Sequence, residues 1–107
     1  MIVRNESAVQ QTPAPGVHRK VLSYSDSLMA CEVTLDKGAV VPAHHHPETQ
    51  VSYMISGSCR VKTERETIVL QAGDSILFAP DESHEIFCQD GGKILDVFSP
   101  MRKDFLD

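Results

Sequence analysis

The sequence predicts an all-β domain, a sandwich or a barrel, and three observations carry that reading. Apolar and polar residues alternate with period two, most clearly where Met29, Cys31, Val33 and Leu35 interleave with Ala30, Glu32, Thr34 and Asp36. Turn-forming residues punctuate the chain at short intervals. No stretch of about a dozen residues keeps helical periodicity. Many short strands at regular spacing imply a closed or two-layered β architecture.

Taken in order, residues 1 to 16 read as an extended arm, in which Pro13 and Pro15 forbid regular structure. Residues 17 to 107 form the domain. Strands begin at Val17, and the alternating run at 29–35 ends in the turn Asp36-Lys37-Gly38. Residues 39 to 43 are a short strand leading into a histidine run. Gln50 to Ser56 and Ser58 to Thr63 flank Gly57, which reads as a hairpin turn. Thr67 to Leu70 is a strand, and Ala72-Gly73-Asp74 turns into another at Ser75 to Phe78. After a loop at Pro80 to Ser83 come strands Glu85 to Cys88 and Lys93 to Ser99, separated by Asp90-Gly91-Gly92. The tail after Pro100 has room for one helical turn.

A chain of 107 residues is one domain, and its 41% hydrophobic content is ordinary for a globular protein. A core of that size gains from burying more apolar surface, so a homo-oligomer is unsurprising. The net charge of −5 and the lack of a basic stripe argue against nucleic acid as partner. No apolar run approaches a membrane span, and the first residues, MIVRNESAVQQ, lack the apolar core of a secretory signal. The three cysteines, Cys31, Cys59 and Cys88, are widely spaced and odd in number. They read as reduced, buried hydrophobes in a cytoplasmic protein, with no catalytic thiol among them.

Three of the five histidines crowd into AHHHPETQ, residues 43 to 50. Two readings stand: a solvated polar loop, or a metal site. On a strand, His44 and His46 share a face and His45 does not. Two residues along a strand are roughly 6.6 Å apart. That spacing lets two imidazoles lean onto one ion, each nitrogen about 2 Å from it. Gln50 opens the next strand with an amide oxygen, and His84 offers a third imidazole after the Pro80 loop. His18 stands in the first strand without evident partners and receives no role.

The spacing resembles that of the cupin superfamily. Gly38, five residues, His44-x-His46, three residues, Gln50, six residues and Gly57 follow its first motif, with Gln50 where the family has glutamate. Gly73, five residues, then Ala79-Pro80-Asp81-Glu82-Ser83-His84 follow its second, with Asp81 in a glycine position and Cys88 in an asparagine position. Aspartate tolerates the left-handed conformation better than most residues, so Asp81 fits there. The resemblance implies a double-stranded β-helix, a jelly-roll barrel, and a single divalent transition metal held by His44, His46, Gln50 and His84. Zn, Ni, Fe, Mn and Co all suit three imidazoles and an amide oxygen. Because all four ligands would be neutral, the site would keep a charge of +2. It would attract anions and act as a Lewis acid more strongly than a site with glutamate.

The tail ILDVFSPMRKDFL, residues 94 to 106, sets Ile94, Asp96 and Phe98 on one strand face and Leu95 and Val97 on the other. An inward Asp96 needs a partner. The alternative is an outward Asp96 on an edge strand, with Arg102 a surface cation paired to Asp104. This ending, together with H-x-H-P-x-x-Q, resembles the cupin-type pectin degradation proteins of the KdgF group. That resemblance implies an enzyme that converts 4,5-unsaturated monouronates, from pectin or alginate, to the linear 5-keto-4-deoxyuronate. Its acting residues would fall on Asp96, Phe98 and Arg102, and its partner would be a small anionic sugar acid. Two other classes remain open from the sequence: a non-catalytic sugar- or metabolite-binding cupin, and a metal-dependent dioxygenase.

Overall fold

The structure is a computed structural model that describes residues 1–106. Nine strands account for most of them, in the order β1 (Gln10–Ala14), β2 (Val17–Ser25), β3 (Leu28–Leu35), β4 (Ala39–His44), β5 (Thr49–Thr63), β6 (Thr67–Gln71), β7 (Ser75–Phe78), β8 (His84–Cys88) and β9 (Gly92–Ser99). Short 3-10 turns at Asn5–Ser7 and Lys103–Leu106 are the helical elements. The ladder runs β1-β2-β3-β9-β5-β8-β4, with β6 and β7 also paired to β5, and every pairing is antiparallel. The sheet curls into a nearly closed jelly-roll barrel.

β5 explains the shape. Its first half pairs with β9 and β7, and its second half with β8 and β6. Gly57, expected to turn a hairpin, instead lies within this single strand at a positive φ of 76°. Gly91 and Gly92 of the facing turn pack directly against it, where a side chain would collide with their backbone. A glycine here lets the strand bend and pass from one sheet to the other. The two cues are alike locally, and only the partner strands distinguish a bend from a hairpin.

The inner face carries the core: Val17, Leu35, Met54, Val61, Leu70, Phe78 and Ile94 are all buried. β3 keeps the predicted alternation, with Met29, Cys31, Val33 and Leu35 inside. A second cluster of Met29, Cys31, Phe98 and Phe105 packs the tail against β3 and β9.

Three further expectations are corrected. The N-terminal stretch contains a regular strand, β1, paired to β2 with Gln11 opposite Arg19. Pro13 is accommodated because β1 is an edge strand, where a missing N–H breaks no ladder on its open side. Cys59 and Cys88 are joined in a disulfide rather than reduced, and only Cys31 is free. They lie opposite each other on β5 and β8, with Cα atoms 4.3 Å apart, a relationship set by strand register. His18 does have a partner: its Nε2 lies 3.0 Å from Asp36 Oδ2.

Candidate active site

One end of the barrel holds a cavity of about 290 Å³, near the lower end of the size range for small-molecule sites. His44, His84, Gln50, Asp96, Phe98 and Arg102 all line it. His44 ends β4 and pairs with His84 at the start of β8, and a register shift between Val41 and His44 brings the two rings together. His46 follows in the loop. The backbone N–H of Asp81 donates to the His46 carbonyl at 2.7 Å. Asp81 adopts a positive φ of 62°, the conformation expected at its glycine-like position.

The three imidazoles converge, with potential ligand atoms within 4.8 Å of one another. His45 points away, is exposed and lies 3.5 Å from Asp81 Oδ1. His46 and His84 are buried, at 6% and 1% exposure. Burial lowers the pKa of His84 to about 4. Burial, then the charge of Arg102, lowers that of His46. Both rings are therefore neutral near pH 7, as metal ligands must be. His44 Nδ1 lies 2.9 Å from the Pro42 carbonyl and His84 Nδ1 lies 2.9 Å from the Glu82 carbonyl. A carbonyl only accepts, so each Nδ1 carries the proton and each Nε2 presents a lone pair to the cluster. His84 Nε2 is buried without a hydrogen-bond partner. Phe78 stacks flat on His84, centroids 4.0 Å apart, and fixes the ring.

His46 supplies a sharper test of fit. Its Nε2 is 2.9 Å from Gln50 Oε1, and its Nδ1 is 3.4 Å from Glu48 Oε1. Both oxygens are acceptors, and a neutral imidazole has one N–H. Whichever tautomer forms, one lone pair of the ring faces another lone pair. A cation among His46 Nε2, Gln50 Oε1 and the free Nε2 atoms resolves the conflict and leaves Nδ1–H for Glu48. The Gln50 amide cannot turn away to relieve it. Its Nε2 donates to Ser52 Oγ at 2.9 Å, and Ser52 in turn donates to Asp96 Oδ1 at 2.6 Å. The residues present fit a divalent metal.

Asp96 faces inward, opposite Ser52 across the β5–β9 pair. Burial pushes its carboxyl up to about 6, against the lowering effect of its Ser52 hydrogen bond. An ordinary aspartate is a weak base, and burial in the cavity makes this carboxyl a stronger one. Phe98 is buried edge-on to His46, with centroids 5.7 Å apart. Arg102 lines the cavity and also pairs with Asp104 through Nε and a terminal nitrogen, at 3.1 and 3.0 Å. Glu48 lies 3.5 Å from its Nε. The two readings of Arg102, cavity cation and partner of Asp104, therefore both describe it.

The sequence reading missed Glu48, Ser52 and Arg19. Ser52 stands two residues from Gln50 on β5, so period-two alternation alone could have placed it beside Gln50, whereas Glu48 lies in the bend before the strand, where no such pattern applies. Arg19 joins the cavity through the register of β2 on β3, which no local pattern reveals.

Comparison with known proteins places the chain in a family. The cupin domain family model matches residues 31–98. The pectin degradation protein KdgF of Dickeya dadantii is 37% identical over 93 residues, covering 85% of this chain and 84% of its own length. The solved structure of KdgF from a Halomonas species superposes with a TM-score of 0.91 and 30% identity, over 98% of this chain and 97% of that one. An RmlC-like cupin from Shewanella frigidimarina gives 0.92 and 36%, over 97% and 94%. An oxalate decarboxylase from Bacillus subtilis, at 0.80 and 23% over 29% of its own length, shares the fold alone. The chain thus belongs to the cupin family and, within it, to the KdgF group of pectin degradation proteins.

Proposed function

We propose that the protein is an enzyme that opens 4,5-unsaturated monouronates to the linear 5-keto-4-deoxyuronate. The observation that carries the reading is a three-histidine cluster at a cavity that a half-buried carboxyl, Asp96, also lines, in a chain of the KdgF group. The substrate is a cyclic enol ether with a carboxylate on its double bond and a hemiacetal hydroxyl. Opening the hemiacetal releases an enol at C5, which becomes a ketone when C4 takes a proton. The change is an isomerisation, so no oxidant or reductant is required.

His44, His46, Gln50 and His84 would hold one divalent transition metal, of Zn, Ni, Fe, Mn or Co, which supplies Lewis-acid stabilisation of negative charge developing on oxygen. Asp96 accepts the hemiacetal proton and returns a proton to C4, and Ser52 holds it in place. Phe98 packs against the sugar and keeps water from the reacting carbons. Arg102 presents a guanidinium towards the carboxylate.

Incubation of the metal-loaded protein with unsaturated galacturonate should remove the ultraviolet absorbance of the double bond, and a chelator should stop the loss. Asp96→Ala and Arg102→Ala should each abolish turnover with metal content intact. Normal turnover by both variants would remove the assignment.

Two further parts of the reading concern assembly and setting. Val51, Tyr53 and Leu77 are exposed on the outer face of the β5–β7 pair, and Val97 of β9 stands opposite Val51. An apolar face of this kind supports a homodimer packed sheet to sheet. Tyr53→Glu should give a monomer by light scattering. No helix among the described residues is long and apolar enough to cross a membrane. We place the reaction in the cytoplasm, a reading that the class of substrate favours and the Cys59–Cys88 disulfide opposes. Thiol counting on freshly lysed cells tests this, because a Cys59–Cys88 pair found fully oxidised would indicate an oxidising compartment.

A further inference from the structure

The cavity holds a second arginine, and its charge is balanced less than that of Arg102. Arg102 lies against two carboxylates, Asp104 and Glu48. Arg19, on β2, lines the same cavity and has no carboxylate within ion-pair distance among the described residues. Its Nε donates to Gln11 Oε1 at 3.0 Å, and its guanidinium carbon lies 3.4 Å from the centroid of the Phe105 ring. The Gln11 amide nitrogen donates in turn to the Phe105 carbonyl at 2.9 Å. An edge strand and the C-terminal turn, neither of which supplies a metal ligand, thus hold one guanidinium in a fixed plane. Its terminal nitrogens remain available to an anion.

The reach is suitable. Arg19 stands opposite Val33 on β3, and Cys31, two residues along, stands opposite Asp96 on β9. Two strand spacings and one two-residue step put the Arg19 and Asp96 Cα atoms on the order of 12 Å apart. An arginine side chain and a six-carbon sugar acid together span such a gap. A planar fork held by packing suits bidentate binding of a carboxylate.

We propose that Arg19 is a second anchor for the substrate carboxylate beside Arg102, held in place by Gln11 and Phe105, and that it strengthens selection of sugar acids over neutral sugars. The proposal rests on the uronate reading above and deepens it. Arg102 bears on the same ring, its guanidinium carbon 4.2 Å from the Phe105 centroid, and adds to the positive field.

The test separates binding from turnover. Calorimetry on the full chain, with and without added zinc, compares galacturonate, which cannot react, with galactose, which lacks the carboxylate. Wild type should prefer galacturonate, and Arg19→Gln should weaken galacturonate roughly 10-fold to 100-fold while leaving galactose unchanged. Arg19→Lys should restore part of the preference, and an unchanged melting temperature shows that both variants fold. With unsaturated galacturonate, Arg19→Gln should raise KM by a similar factor and leave kcat nearly unaltered. Equal loss of both sugars, no loss of either, or a wild type without preference overturns the anchor. Turnover that is normal in Arg19→Gln overturns the anchor and leaves the reaction standing. A carboxylate preference that depends on Arg19, in a protein that does not turn over the unsaturated sugar, supports the anchor and removes the reaction.

Discussion

The inner face of the β5–β9 pair changes character within a few residues. Near the cavity it presents Gln50 and Ser52 from β5 and Asp96 from β9; one step deeper, Met54 faces Ile94. All but Asp96 are almost fully buried, at 3% exposure or less. The deeper end is ordinary apolar packing, closed by Val61, Leu70 and the Cys59–Cys88 pair. The cavity end buries polar groups whose partners do not fully satisfy them, as His84 Nε2 and His46 Nδ1 show. Two regions of the same strands are thus built for different ends: one for cohesion, the other for chemistry, at a cost in stability.

The largest effect that separates the two regions is expected from His84→Ala. Removing one of three imidazoles should abolish metal retention, read by elemental analysis, and lower activity by roughly a thousandfold or more. The fold should survive, because the lost side chain had an unsatisfied buried nitrogen. A variant that keeps stoichiometric metal would dissolve the distinction.

Asp96→Asn is next and should move function and stability in opposite directions. Turnover should fall roughly 100-fold to 10,000-fold. The folded pKa of about 6 lies above the unfolded value near 3.8. The native state therefore binds the proton more tightly, and Asp96 favours folding below about pH 4. This contribution is lost as pH rises through 6, where the charged form must be buried. In the metal-free protein the asparagine variant should be more stable than wild type at pH 7 by up to roughly 3 kcal/mol. The gap should close as pH falls from about 6 to 4, measured by urea unfolding at each pH. A bound dication draws the carboxyl pKa down, so the acidic limb of the pH–rate profile is expected at or below pH 6.

These variants also show what was legible beforehand. Period-two alternation placed Asp96 with Ile94 and Phe98, and glycine-anchored spacing put His44, His46, Gln50 and His84 in register. Such features are local, or repeat at fixed spacing. The crossing of β5 at Gly57, the opposition of Cys59 and Cys88, and the approach of Arg19 all depend on which strands pair and in what register. A single sequence does not carry that information in any one window. β1 was obscured for a different reason: proline cues are read as breaking strands, but an edge strand tolerates them.

At the deeper end, Met54→Ala should cost about 2 to 5 kcal/mol, since the side chain is fully enclosed and its methyl fills space that Gly92 leaves open. Metal content and kcat of the folded fraction should stay unchanged. Loss of metal with stability would show that the two regions are coupled rather than separate.

The smallest effect is expected from the disulfide. Cys59 and Cys88 are 29 residues apart in sequence and close a loop that runs from β5 through β6 and β7 to β8. A cross-link of that span restricts the unfolded chain, and its loss should lower stability by about 2 to 4 kcal/mol. The two sulfurs sit in the apolar core cluster, so Cys59→Ala with Cys88→Ala leaves small hydrophobes and part of the packing intact. The β8 strand that ends in Cys88 begins at His84, however, which links the cross-link to the metal cluster along a single rigid element. If that link matters, the double variant should bind zinc more weakly as well as unfold earlier. If β8 is held in register by its ladders to β4 and β5 alone, zinc affinity should be unchanged while the urea midpoint falls, and this second outcome is the one expected from the four register pairs that β8 makes with each neighbour.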